Sequence, residues 1–290
     1  MQSVYASKLT KEKIWPDFSA HFRSPATAAS YESDIREVME YFKRDFWKVR
    51  EAEVETYFRW MEHKVEQGIL SGATVAKKFR ELHSFAEFAC ENRERYRLGK
   101  GYQDYYQPYL KRMEKQEPYA RSVPAGHVDR LLAAAQEDLM AYGIILLLYR
   151  AGLTSTEIIW LRPGDLTVYD NGVYAAVRGR KEQCLIPEDV FAVLRKYLET
   201  CPGQPFLFCS SRGNQMNLMG ISRLLKKYEK KAGIPSYSAQ SIRNTCGFNL
   251  FAYGADEEQT ASRLGVTGGQ IRRYRNAGYR EQLQLEAEKL

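Results

Sequence analysis

The chain has 290 residues, 43 Lys+Arg against 36 Asp+Glu, a formal net charge of +7 and 44% hydrophobic residues. That apolar fraction supports a packed core and excludes wholesale disorder. No apolar run reaches the ~18–20 residues that span a bilayer, and the first residues (MQSVYASKLTKEKIWPDF) are too polar for a secretory signal. The five cysteines, Cys90, Cys184, Cys201, Cys209 and Cys246, are odd in number and lack CxxC spacing. They read as reduced thiols of a cytoplasmic protein, not as a disulfide framework or a zinc site. The four histidines are His21, His63, His83 and His127, and none follows His127.

The first hundred residues read as helices. Ser24-Pro25-Ala26-Thr27 is a start signal, with Ser24 suited to capping and Pro25 to the first helical position. Apolar residues then recur at three-four spacing through Tyr31, Ile35, Val38, Met39 and Phe42. Val54, Tyr57, Phe58 and Met61 continue the pattern, and Ser71-Gly72-Ala73-Thr74 opens a third helix carrying Val75, Phe79, Leu82 and Phe85 on one face. Residues 101–121, with Tyr102, Tyr105, Tyr106, Pro108 and Tyr109 in no clean period, read as an extended linker between domains.

From residue 122 the pattern is helical over His127–Leu148 and Ser155–Leu161. Short β-branched and aromatic runs follow at 166–169, 172–177 and 184–186, split by Asp170-Asn171-Gly172 and the charged turn at 179–183. These read as a small antiparallel sheet. Helices resume at 187–198, 219–232, 239–253, 256–264 and 268–290. Split at residue 120, the two parts carry 21 cations against 19 acids and 22 against 17. Both lean basic, a weak pointer to nucleic acid.

Several stretches, in order, resemble the tyrosine recombinase (phage integrase) family. Gly152-Leu153-Thr154-Ser155-Thr156-Glu157 through Leu161 and Asp165 is similar to its "GLR-x-x-E-x-x-x-L-x-x-x-D" box. Val177-Arg178-Gly179-Arg180-Lys181 resembles the hairpin that presents a lysine, and Gln240-Ser241-Ile242-Arg243-Asn244-Thr245, Gly254-Ala255-Asp256, Leu264-Gly265-Val266 and Tyr274 resemble "H-x-L-R-H-T … G-x-D … L-G-H … Y". Ser24, Thr27, Tyr31 and Asp34 match the opening of the family's core-binding domain.

The resemblance implies a mainly α fold with a small antiparallel sheet. A helical core-binding domain (1–100) and a catalytic domain (122–290) would form a C-shaped clamp on double-stranded DNA. It implies strand transfer through a 3′-phosphotyrosine, without a cofactor, and no membrane. Tyr274 falls at the nucleophile, with Tyr279 the alternative. Arg243 falls at the second phosphate-binding arginine, at a helix start that itself attracts phosphate. The general-acid lysine falls on Arg180 by the preceding glycine and on Lys181 by chemistry, since arginine hardly deprotonates. The first family arginine falls on Thr154 and the two histidines on Gln240 and Val266, so the catalytic set is degenerate. Arg150, one turn before Thr154, is the cation placed to stand in, and Glu157, at the family's acidic position, either orients an arginine or caps local structure, the cap being favoured. Arg178, Lys77, Lys78, Lys226, Lys227 and Lys230 are the further DNA-contact candidates. The segment at 281–290 is a good helix former, and by resemblance such a tail packs on a neighbouring protomer. The expected function is therefore a divergent recombinase of a mobile element. The rivals are a DNA-binding regulator that kept the fold and lost the chemistry, and a helical protein-interaction module.

Overall fold

The computed structural model describes residues 1–99, 101–113 and 120–274. The chain divides into two compact units, Met1–Glu117 and Pro118–Leu290. Among the described residues no helix is long and apolar enough to cross a membrane.

The first unit is helical. A π-helical turn at Thr10–Ile14 runs into α1 (Trp15–Ser19), followed by α2 (Pro25–Phe42), α3 (Glu51–Glu66), α4 (Gly72–Glu91), α5 (Arg93–Tyr96) and α6 (Gln107–Met113). Pro25 takes the first helical position of α2 as expected, but Ser24 makes no side-chain cap there. Ser71 does cap α4, its Oγ accepting from Thr74 N–H at 3.1 Å. The stripe residues Ile35, Val38, Met39, Tyr57, Phe58, Phe79, Leu82 and Phe85 are wholly buried. At ~1.5–3 kcal/mol per large apolar side chain, such burial is what holds a unit of this size.

The tyrosine-rich stretch after residue 101, expected to be an extended linker, is in part the floor of that core. Tyr102, Tyr106 and Tyr109 are buried. Tyr106 stacks on Phe46 at 5.3 Å, Tyr109 lies 4.6 Å from Phe58, and Tyr102 meets Trp47 edge-on at 5.3 Å. Their aromatic area finds a hydrophobic seat that no local periodicity announces.

The second unit holds α7 (Ala125–Ala135), α8 (Leu139–Tyr149), α9 (Ser155–Trp160), strands β1 (Leu166–Tyr169), β2 (Gly172–Ala175) and β3 (Cys184–Ile186), then α10 (Glu188–Thr200), α11 (Leu218–Ala232), α12 (Ala239–Ala252), α13 (Glu257–Leu264), the short α14 (Gly268–Ile271) and a 3-10 turn at Arg272–Tyr274. The single helix expected over His127–Leu148 is two. Asp138 adopts an extended backbone, and its carboxylate accepts from Ala141 N–H at 3.0 Å, so a new helix starts there. Helix α8 is apolar on every side and packs against both α10 and α12, as a central helix must.

The sheet has order β1-β2-β3, antiparallel, with Leu166 opposite Ala175 and Val173 opposite Ile186. Tyr169 pairs with Gly172, so Asp170-Asn171 is a two-residue hairpin turn. In β3, Cys184 and Ile186 face the core while Leu185 faces out, the strand's period-two signature.

Candidate active site

Ser238 opens α12, its Oγ accepting from Ser241 N–H at 3.0 Å. Gln240, Asn244 and Gly247 then fall at i, i+4 and i+7, on one face of the helix. Tyr274, thirty residues later, packs on that face. A Cβ on Gly247 would stand 2.8 Å from Tyr274 Cδ1, so the bare helix surface there is what admits the ring. Phe248 flanks it edge-on at 5.9 Å. The Tyr274 hydroxyl donates to Asn244 Oδ1 at 3.2 Å, and the residue is 6% exposed. Gln240 Nε2 donates to the same oxygen at 2.8 Å. Asn244 Nδ2 donates to the Arg121 carbonyl at 3.0 Å. That carbonyl can only accept, which fixes which end of the Asn244 amide faces the phenol. Ala120 N–H donates to Arg273 O at 3.0 Å and ties down the turn that carries Tyr274.

Arg243 is buried beside Asn244. Its Nε donates to the Gly152 carbonyl at 2.9 Å, and Nη2 donates to the Leu264 carbonyl. Arg180, from the loop between β2 and β3, reaches the same place. Its Nη2 donates to Gly152 O at 3.3 Å and its Nη1 to Arg263 O at 2.8 Å. Two guanidinium groups therefore converge on one carbonyl. Gly265 makes room for the second: a Cβ there would lie 2.8 Å from Arg180 Nε.

The charge of Arg180 is met by Glu157, which accepts from its Nε at 2.6 Å and its Nη2 at 2.9 Å. Glu157 Oε2 also accepts from Thr154 N–H at 2.6 Å, while Thr154 Oγ1 accepts from Glu157 N–H at 3.2 Å, a reciprocal cap on α9. Burial alone pushes the Glu157 carboxyl up. Arg180 and the Thr154 amide outweigh it and hold the group below its ordinary value. Of the two readings of Glu157, cap and partner of an arginine, the contacts hold both: it caps α9 and binds Arg180. Thr154 supplies no charge, only the cap. Val266, at the second histidine position, packs with Leu264, Phe248 and Tyr274 in a small apolar cluster.

The other expected residues make different contacts. Arg150 pairs with Asp189 at 3.2 Å. Lys181 is exposed at the mouth of a cavity of about 500 Å³, also lined by Trp160, Arg162, Arg178 and Gln183. Among the described residues no hydrogen bond or ion pair joins Lys181 to Arg243 or Tyr274. The Arg178 guanidinium lies 4.6 Å over the Trp160 ring. In the first unit, Lys77 binds Glu81 at 2.8 Å, and Lys78 binds Asp34 at 2.7 Å and Glu37 at 2.8 Å. On α11, Lys226, Lys227 and Lys230 are exposed, and Lys227 Nζ donates to Tyr228 Oη at 3.1 Å. Tyr279 and the expected C-terminal helix lie outside the described residues. Asn244 does not stand out in the sequence by residue type. The signal was its place four residues after Gln240 on a helix face.

Curated relatives cover most of the chain. Tyrosine recombinase XerC of Corynebacterium efficiens is 27% identical over 251 residues, 84% of this chain and 78% of that protein. XerC of Staphylococcus aureus strain N315 is 22% identical over 280 residues, 91% and 88%. Among solved structures, XerH recombinase in a post-cleavage complex with palindromic difH matches 100% of this chain and 91% of its own, at TM-score 0.69 and 14% identity. A lambda integrase (75-356) dimer on a COC' core site matches 92% and 94%, at TM-score 0.69 and 13% identity. These structural likenesses carry the fold. The phage integrase family matches residues 121–278, more than half of the chain and the whole of the site just described, and the chain belongs to that family.

Proposed function

We propose that the chain binds duplex DNA and breaks and rejoins its strands through a covalent link to Tyr274. The observation that carries this reading is the convergence of Tyr274, Arg243 and Arg180 on the α12–Gly152–Leu264 region, from segments far apart in sequence. In the step, the Tyr274 phenol gives up its proton, its oxygen bonds to phosphorus, and the bond from phosphorus to the 5′-oxygen breaks. The 5′-oxygen takes a proton, and a 5′-hydroxyl of the next strand reverses the exchange. Developing charge on the phosphoryl oxygens calls for fixed cations, for which arginine's permanent charge and planar fork are suited. Arg243 and Arg180 are those cations, and Lys181, next to Arg180 on the same loop, is the proton donor to the 5′-oxygen. Because Tyr274 is buried and donates to Asn244, attack requires the turn at 272–274 to leave this position.

A second reading, a DNA-binding member of the family without strand transfer, is favoured by one observation. Four of the five N–H bonds of Arg180 are already taken within the protein. Nicked suicide duplexes bearing a site selected from random DNA by this protein separate the two. Strand transfer predicts a covalent adduct that disappears in Tyr274→Phe. Tight duplex binding with no adduct favours the second reading.

A further inference from the structure

Beside the cavity that Lys181 lines is a group of four side chains that the strand-transfer chemistry does not use. Trp160, the last residue of α9, is 38% exposed. Arg178, in the loop after β2, lays its guanidinium 4.6 Å over the Trp160 ring. Phe206 meets Trp160 edge-on, with ring centroids 6.0 Å apart. Arg162, two residues past Trp160, lies 5.6 Å over Phe206. The order is cation, ring, ring, cation.

A large aromatic left this exposed serves little purpose in a core. Here it serves as a table. A guanidinium seated over a ring loses rotamer freedom before any ligand arrives. Neither guanidinium forms an ion pair among the described residues. The acids nearby are otherwise engaged: Glu157 holds Arg180, Glu182 accepts from Ser262 Oγ at 2.8 Å, and Asp165 accepts from Arg162 N–H at 2.8 Å. Two exposed guanidinium forks on the cavity that Lys181 lines suit tetrahedral anions carried at intervals along a chain.

We infer that Arg178 and Arg162, mounted on the Trp160–Phe206 pair, form a clamp for backbone phosphates of duplex DNA, an inference that rests on the DNA-binding reading above. The rings themselves do not stack on bases. Arg178 covers one face of Trp160 and Phe206 abuts it, while Arg162 covers Phe206. Contact is therefore to the backbone and blind to sequence. Glu157 and Arg180 line the same cavity, and Arg180 shares the Gly152 carbonyl with Arg243.

The test is fluorescence anisotropy of the full chain with labelled duplexes of two unrelated sequences across a sodium chloride series. Arg178→Ala and Arg162→Ala are each expected to lower the log–log salt slope by about 0.9 and to weaken binding about eightfold at 0.1 M salt, the polyelectrolyte effect of one phosphate. Both sequences should respond alike. Trp160→Leu removes no charge, yet should weaken binding about two- to fivefold by unseating Arg178, with Trp160→Phe restoring it. Arg178→Lys should keep the slope and lose affinity. Wild-type slope and affinity in the arginine variants would overturn the clamp while leaving the DNA-binding reading intact. A loss confined to one sequence, or one seen with single strands and not duplexes, would overturn it in favour of base contact. No salt-dependent duplex binding by the wild-type chain would overturn both. Circular dichroism of each variant checks that a loss of binding is not a loss of fold.

Discussion

Replacing Arg180 with alanine tests the joint on which the site is built. The Arg180 side chain is 7% exposed and that of Glu157 15%, with two hydrogen bonds between them at 2.6 and 2.9 Å. Removing one partner of a buried ion pair costs about 3–5 kcal/mol, because the other is left charged and poorly solvated. Glu157 keeps the Thr154 amide, so the lower end, about 3 kcal/mol, applies. For a unit of this size each kcal/mol moves the melting temperature ~2–4 °C, giving a fall of roughly 6–12 °C at pH 7. Thermal melts followed by near-ultraviolet circular dichroism read it. Replacing both partners, Glu157→Leu with Arg180→Met, should recover most of the loss, since an apolar pair of similar volume leaves no stranded charge. The fold holds the Glu157 carboxyl below its ordinary value. Its contribution is therefore present above about pH 4.5 and is lost as pH falls through the folded value, and the gap between wild type and Arg180→Ala should close on the acid side. A melting temperature for Arg180→Ala within 1 °C of wild type, or a gap that does not change with pH, would refute the reasoning.

Gly265→Ala should cost about 2 kcal/mol, since φ there is +64° and the new Cβ would press on the Arg180 guanidinium. In the Arg180→Ala background the cost should shrink, and equal costs in both, measured by thermal melting, would contradict the packing. Lys78→Met should destabilise the first unit by about 2 kcal/mol, because Asp34 is 5% exposed and Lys78 is its 2.7 Å partner. The salt slope of DNA binding should stay as it is; a reduced slope would mean that the amine leaves Asp34 for phosphate. Burial pushes the Cys246 thiol up to about 11, so iodoacetamide at pH 8 should label it far more slowly than the half-buried Cys201. Peptide mass spectrometry showing equal rates would contradict the burial.

The helices of the first unit and the three-stranded sheet could be read from the sequence, since periodicity and turn chemistry are local. Val75, Phe79, Leu82 and Phe85 lie on one face and are buried, and Asp170-Asn171-Gly172 is a hairpin turn. What local pattern leaves open is decided by residues distant in the chain. Lys77 and Lys78 look like a wet cationic face until Asp34, Glu37 and Glu81 pack against them. Arg180 and Lys181 are neighbours of the same charge, and spacing does not say which one turns inward. Glu157 and the missing side chain of Gly265 decide it for Arg180. The family motif singles out Tyr274 and Arg243 from sequence; the contact of Asn244 with the phenol is visible only once α12 and the last turn are packed together.

The central claim is that Tyr274 forms the covalent link to DNA. Trapping the chain on a nicked suicide duplex, digesting the adduct with nuclease and protease, and sequencing the nucleotide-bearing peptide by mass spectrometry tests it most directly. The expected result is a nucleotide on Tyr274, absent in Tyr274→Phe. A nucleotide on another residue, or none on a chain shown to be bound to its duplex, would contradict it.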